Sequence, residues 1–499
     1  MSVDQKLRGG PSVGGSTDRS TGGGNNESEE YCSVVIDKNA ESGHQIFSEE
    51  EMKQWDSLAK ALVEEARAGK ADDAKPKIQQ VPFMLRDNTN FNKYLKPKVI
   101  SVGPYHYKDT NLKISKPIKL KLAAMFIKET RVNKEALYLH IKNQIKNLRD
   151  CYAKEATKGY PDHKLAWIFL VDGCAILQFI FISAQPNSEM ELRKLRIKTD
   201  HVVFGHQDLF LLDNQLPYQL LQLIMRSTSK EGAFLESIQL FIFDYIKAPG
   251  QKYKRNDEIL KDNHVHLLDL MRKILIDQPL QNKKKPDLME IIIDWTVELF
   301  DKWRCIDNKA EYWHSFRNIE ELKAAGIKLK PSKTSGVKDV TFSGDTLKLP
   351  PIFVDDSTAA KFLNMAAYEM CPDFQNDFEV SSYISFLDSL IDRAQDVKEL
   401  REKNILYNAL GSDEEVAKLF NEISTDLVPR DETYSKVRKN IQKYCNNIWM
   451  TWLSQFNHDH FQSPWSVLAF VGAFIALASS IIQTVYTALG YHPDSNKGN

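Results

Sequence analysis

Three consecutive polar residues, Asp213, Asn214 and Gln215, interrupt an apolar run in "HQDLFLLDNQLPYQLLQLIM" (206–225). A carboxylate beside two amides carries the donors and acceptors to hold a ligand. His106, just after the Gly103-Pro104 turn of "KVISVGPYHY" (98–107), is the best isolated catalytic candidate, a lone histidine with no partner assignable from the sequence. The chemical reading of these residues is a hydrolase-like enzyme working around His106 and the elbow. The competing reading is structural. Pro217 lacks an N–H and suits the first turn of a helix, where donors are unpaired anyway. Asp213 or Asn214 would then cap that turn. Apolar flanks bury the elbow, and buried polar groups must be bonded. The patch is read as a structural elbow, with a ligand or catalytic site as the alternative.

Other chemistry-bearing residues have plainer readings. Asp355 and Asp356 stand before a helix and are read as caps rather than as an acid–base pair. Asp388, Asp392 and Asp396 recur every fourth residue, as on a solvated helix face, with Arg393 and Lys398 nearby. His264 and His266 are two apart, which on a helix sends them to different faces and away from a shared metal. His458 and His460 flank Asp459 just before an apolar segment and are read as interfacial polar residues. There is no phosphate-cradling glycine loop, nucleophile elbow or His-Glu-x-x-His motif. No catalytic residue, cofactor or metal is assigned.

These residues sit in a chain of 499, with 42% hydrophobic and 27% charged residues and a net charge of −1. Length alone suggests roughly three domains. The balanced charge gives no field to recruit nucleic acid. Six scattered cysteines form no Cys-x-x-Cys pair, as suits a reducing compartment, and Cys174 in an apolar run reads as a buried thiol. The N-terminus has no secretory pattern, and Ser2 excludes a myristoylated glycine.

The elements that must position the elbow are mainly helical. Residues 1–45, rich in Gly, Ser and Asn, are read as a disordered tail, and 46–460 as one large domain. "SEEEMKQWDSLAKALVEEARAG" opens on a capping box, Ser48 and Glu51, and repeats Met52, Trp55, Leu58 and Leu62 at helical spacing. "KVISVGPYHY" is β-like. Leu137, Ile141, Ile145 and Leu148 mark one helix; others are expected at 165–182 and 216–228. "VKDVTFSGDTLKLPPIFV" predicts a β-hairpin turning at Gly344. Asp356, Ser357 and Thr358 precede the helix "AAKFLNMAAYEM", and Ser412 with Glu415 makes a second capping box.

Two apolar stretches raise the question of a membrane. Residues 464–490 contain no charge, and a helix from Trp465 to Leu489 would be about 37 Å long, against a hydrocarbon core of roughly 30 Å. Trp465 and Tyr486 fall near its ends, at headgroup level. It is read as a single-pass C-terminal anchor, with residues 491–499 a short tail. Lys436, Arg438, Lys439 and Lys443 precede it and only Lys497 follows, which places the main domain in the cytosol. Gly472, Ala476 and Ser480 recur every fourth residue and make a candidate helix-association face for a homodimer or a partner's span. "LAWIFLVDGCAILQFIFI" (165–182) carries Asp172 and Gly173 at its centre and is read as a helix buried in protein.

Taken in order, "VISVGPYH", "LVDGCAIL", "DLFLLDNQLP", "HLLDLMR", "PPIFVDDST", "SSYISFLDSLIDRAQDV", "GSDEEVAKLFNEI" and the terminal "PWSVLAF…IIQTVY" resemble the plant domain-of-unknown-function family 247 over roughly residues 75–490. The resemblance implies a mostly helical domain with a C-terminal anchor, often at the plasma membrane, and no established activity. Some grass members are associated with the pollen side of self-incompatibility, which implies recognition by a protein partner. The chain departs from the family pattern at Tyr107 and Lys108, where a second His and a Gly are usual, and at Asp213 and Gln178, where Glu is usual. The expected function is therefore a membrane-anchored interaction or recognition protein; the alternative is a membrane-tethered, hydrolase-like enzyme using His106 and the Asp213–Gln215 elbow.

Overall fold

The computed structural model describes residues 48–68, 76–86, 91–253, 255–261, 263–276, 318–375, 377–430 and 432–445, with 476–477, 479–480 and 482–484 near the C-terminus. Contacts divide the chain into two compact units, Met1–Asp72 and Asp73–Asn499. In the first, Glu49–Ala68 is a helix directly after Ser48, and the Met52 N–H donates to the Ser48 carbonyl at 3.0 Å. Its Met52, Trp55 and Leu58 side chains are exposed. The tail expected at 1–45 lies outside the described residues.

The second unit is mainly helical and is organised by the helix Asp162–Ser183. Fifteen of its residues are buried, on every side of the axis, as a helix apolar all round requires. Ser115–Thr130, Lys134–Asn143, Tyr218–Arg226 and Glu231–Ile246 pack against it. Among the described residues it is the one helix long and apolar enough to cross a membrane, and 89% of its apolar window is buried inside the protein. Gly173 lets Ile224 approach closely: an added Cβ there would run into the Ile224 Cδ1. Tyr152 stacks on Phe169 at 6.0 Å between ring centroids and extends this core toward the loops.

Among the described residues five short strands form two small sheets. β2 (Thr341–Ser343) and β3 (Thr346–Leu349) are the expected hairpin, antiparallel, with Gly344 at φ +62° in its turn. β1 (Lys328–Pro331) pairs parallel with β3, and β4 (Ile352–Val354) pairs parallel with β5 (Leu406–Asn408). These parallel partners are distant in sequence, so no local turn signal announces them. Beyond β4, Thr358–Glu369, Glu379–Leu390, Ala394–Glu402 and Asp413–Ile423 complete the helical core.

Several expectations need correction. The helix expected through Leu137–Leu148 breaks at Gln144 into Lys134–Asn143 and Ile145–Asp150, although all four marker residues are buried. The acidic stripe is not one face. The first helix ends at Leu390 and the next begins at Ala394, and Asp396 is buried, accepting the N–H groups of Asp392, Arg393 and Glu320 at 3.1, 3.0 and 2.9 Å. The capping reading holds at Ser412, whose side chain accepts the Glu415 N–H. Most of the C-terminal apolar segment, Gly472 included, lies outside the described residues; Ala476 and Ser480 are helical and exposed.

Candidate functional site

The run 98–107 reads as β-like, yet among the described residues no strand pairs with it. The backbone donors of Lys98, Val99, Ile100 and Val102 go to side chains instead. The Asp208 carboxylate accepts the N–H groups of Lys98, Val99 and Ile100 at 2.7–3.1 Å. Asn214 continues the ladder: its Oδ1 accepts the Val102 N–H at 2.7 Å, and its Nδ2 donates to the carbonyls of Ile100 (3.0 Å) and Asp208 (2.8 Å). One carboxylate and one amide thus replace a neighbouring strand, and all these groups are satisfied. Burial pushes the Asp208 carboxyl up, against the pull of the backbone donors.

The chain then turns at Gly103, with φ +70°. A Cβ there would lie 2.7 Å from the Gln215 carbonyl oxygen and 3.0 Å from the Tyr152 hydroxyl, so the elbow backbone itself occupies the space a side chain would need. The Gly103 N–H donates to Asp172 Oδ2 at 3.0 Å. Asp172 Oδ1 pairs with Lys119 Nζ at 2.6 Å, with both side chains 2% exposed. Lys119 also donates to the Ser101 carbonyl at 2.6 Å. Burial raises the Asp172 carboxyl, and Lys119 with the Gly103 amide pulls it back toward the ionised form. The carboxylate predicted to sit inside a buried helix therefore ties that helix to the Gly103-Pro104 turn.

His106 follows that turn. Its Nε2 lies 2.9 Å from Asp213 Oδ1, with the imidazole 19% exposed and the carboxylate 8%. Asp213 therefore orients His106 and does not cap a helix. Pro217, expected inside the first helical turn, is the residue before the helix Tyr218–Arg226, and no side chain caps it. The Tyr218 N–H donates instead to the Val265 carbonyl at 2.9 Å. Gln215 closes the elbow on itself, Nε2 donating to the carbonyls of Leu209 (2.7 Å) and Leu211 (2.8 Å), while its own carbonyl accepts the Tyr152 hydroxyl at 2.9 Å. Tyr105, beside the pair, has its phenol held well above the usual range by burial and by Asp213.

Gly103, Pro104, His106, Asp172, Asp213, Asn214, Gln215 and Pro217 thus converge on one junction between the central helix, the 98–107 segment and the elbow. Three further members escape sequence reasoning. Lys119 and Asp208 are the ion-pair and hydrogen-bond partners above, and Asn364 Oδ1 accepts the Leu212 N–H at 2.9 Å. Only Asn364, between Leu363 and Met365, stands as a polar residue inside an apolar run; Lys119 lies among other lysines and Asp208 follows His206 and Gln207, so neither is marked out locally. A second buried ionic cluster joins residues 97 positions apart and is likewise not legible locally. Glu369 pairs with Arg272 Nη2 at 2.7 Å and accepts the N–H groups of Val380 and Ser381, both at 2.8 Å, opening the helix Glu379–Leu390.

Asp355, His266 and Cys174 are held within the fold, while His458, Asp459 and His460 lie outside the described residues. Asp355 Oδ1 accepts from the Ser357 N–H and hydroxyl and from the Thr358 hydroxyl, and lies 3.4 Å from Lys361 Nζ. His266 Nδ1 accepts the Asp269 N–H at 3.0 Å, and burial lowers this imidazole to about 4. Burial pushes the Cys174 thiol up to about 12, as expected of an inert core cysteine. Among the described residues no group of His, Cys, Asp or Glu is arranged to hold a metal ion.

Comparison with known proteins adds a family context. A model of the family DUF247, described as plant protein of unknown function, matches residues 78–479. Over 422 residues the chain is 28% identical to a UPF0481 protein of Arabidopsis thaliana, a match covering 82% of this chain and 85% of that protein. A putative UPF0481 protein of the same plant is 21% identical over 527 residues, covering 88% and 96%. No solved structure matches the chain.

Proposed function

The chain belongs to DUF247, a plant family of unknown function, and from that premise we propose that it is a membrane-anchored interaction protein, held by residues 464–490 with its helical domain on the cytosolic face of the plasma membrane. One observation carries the reading: the polar groups of the junction are bonded to one another. Asp172 holds Lys119 and Gly103, Asp213 holds His106, and the amides of Asn214 and Gln215 are taken up by backbone carbonyls. Such a network fixes the shape of a surface around it. The uncharged terminal segment and the basic residues before it support the anchor and its orientation, and the family match runs into that segment. Partners would include another protein and, through the Gly472–Ala476–Ser480 face, a second span.

The second reading is a tethered hydrolase-like enzyme, favoured by the His106–Asp213 pair, a half-buried imidazole against a buried carboxylate. Proximity labelling in native plant tissue, with the intact chain and with a chain lacking 464–499, separates the two. The interaction reading expects a defined set of neighbours that depends on the anchor and survives His106→Gln. If the intact chain labels no more than a bare membrane span does, and His106→Gln abolishes turnover of a chromogenic ester, the enzyme reading replaces it.

A further inference from the structure

Beside the junction, Tyr107 and Tyr160 meet edge to face at 6.0 Å between ring centroids. The Tyr160 hydroxyl donates to the Pro104 carbonyl at 3.0 Å, which fixes this aromatic platform to the Gly103-Pro104 turn. Three ammonium groups rest on it. Lys116 and Lys164 Nζ lie 4.6 and 5.1 Å from the Tyr107 ring centroid, and Lys108 Nζ lies 4.9 Å from that of Tyr160. Lys108 is exposed; Lys116, Lys164 and both rings are half-buried. Among the described residues none of the three lysines forms an ion pair with a carboxylate. The nearest acids in sequence are used elsewhere: Asp162 pairs with Arg149 at 2.7 Å, and Asp109 accepts the Asn111 N–H at 2.8 Å.

Three like charges gathered on two rings repel one another. The ring faces offset part of that cost and pin the charges at fixed spacing. Nothing in the net charge of −1 demands such a cluster. We infer that the Tyr107–Tyr160 platform with Lys108, Lys116 and Lys164 is the docking surface for a carboxylate-rich segment of a protein partner, an inference that rests on the interaction reading above. A bilayer fits it less well, because lipid headgroups reward a broad field of mobile lysines, and here three lysines are held on two half-buried rings.

The test uses the full chain in detergent and a fluorescent oligoglutamate peptide, with oligoglutamine and phosphatidylserine vesicles as companion probes. Binding of oligoglutamate alone, weakening with added salt, is expected. The triple variant Lys108→Gln/Lys116→Gln/Lys164→Gln should bind about tenfold more weakly, the sum of three modest ion pairs. Lys398→Gln/Lys403→Gln/Lys418→Gln removes equal charge and should leave affinity unchanged. Equal weakening in both triples overturns the proposal, as does absence of oligoglutamate binding. Vesicle binding that needs the three lysines without peptide binding overturns it in favour of lipid. In tissue, a platform variant that labels the same neighbours as the wild type removes this surface and leaves the interaction reading standing. A wild type with no neighbours of its own removes that reading.

Discussion

Asp172 and Lys119 form an ion pair closed off from water. Each lies 2% exposed, so neither charge is hydrated and each depends on the other. Asp172→Ala would leave an ammonium buried beside the Ser101 carbonyl, and removing one partner of such a pair costs about 3–5 kcal/mol. Replacing both, as Asp172→Leu with Lys119→Met, should recover much of that, because the charges are costly to bury in the first place. Thermal melts of the two variants check this; equal losses would mean that the pair does more than neutralise itself. Two imidazoles set a pH dependence. Burial lowers His206 and His266 to about 4, below the ordinary 6.5. The unfolded chain then binds more protons between those values. Their stabilisation is complete above pH 6.5 and is lost as pH falls toward 4, at about 3 kcal/mol each. A melting temperature that falls from pH 7 to 5, with a shallower slope in His206→Phe, is the expected result; a flat profile would contradict neutral burial.

At the scale of elements, much that was legible in the sequence was local. The cap at Ser412, the hairpin turn at Gly344 and the buried helix around Asp172 follow from propensity, turn chemistry and periodicity within a dozen residues. What stayed hidden was pairing across the chain. The run 98–102 has strand composition, but its partners are the side chains of Asp208 and Asn214 more than 100 positions away, and periodicity carries no trace of them. For the same reason the elbow was legible as buried and bonded while its partners were not: Asp213 was assigned to a cap and is found on His106. The spacing of Asp388, Asp392 and Asp396 mimicked one helical face because periodicity is blind to a helix end at Leu390. Two glycines give this scale its test. At Gly103 a Cβ would meet the Gln215 carbonyl at 2.7 Å in a left-handed backbone conformation, and both are fixed. Gly103→Ala should therefore cost about 2 kcal/mol or more. At Gly173 the obstacle is the tip of the Ile224 side chain, which can rotate, and helix propensity favours Ala by about 1 kcal/mol. Gly173→Ala should be the milder change in denaturant melts; the reverse order would show that the core around Ile224 does not yield.

At the scale of the whole molecule, the proposed membrane anchor has two apolar segments to be weighed against each other. The two candidates look alike in composition but differ in surroundings. Asp162–Ser183 has 89% of its apolar window buried by its own domain and holds an ion-paired carboxylate at its centre. Exposing it to lipid would unpack the core and add about 2.5–3.5 kcal/mol for the aspartate alone. Residues 464–490 contain no charge, and their described positions Leu477 and Ile482 are exposed, at 65% and 57%. A segment that exposes leucine and isoleucine in water gains by entering a bilayer, whereas one already packed in protein gains nothing. A chain ending at residue 463 should accordingly leave the membrane fraction and keep the melting temperature of the full chain in detergent, since the central helix remains covered. Carbonate extraction followed by sedimentation, with a thermal melt of each fraction, measures both properties. If the shortened chain still sediments with carbonate-washed membranes, the central helix or another surface is a second tether. If it becomes soluble but melts at a lower temperature, the terminal segment also packs against the domain and is more than an anchor.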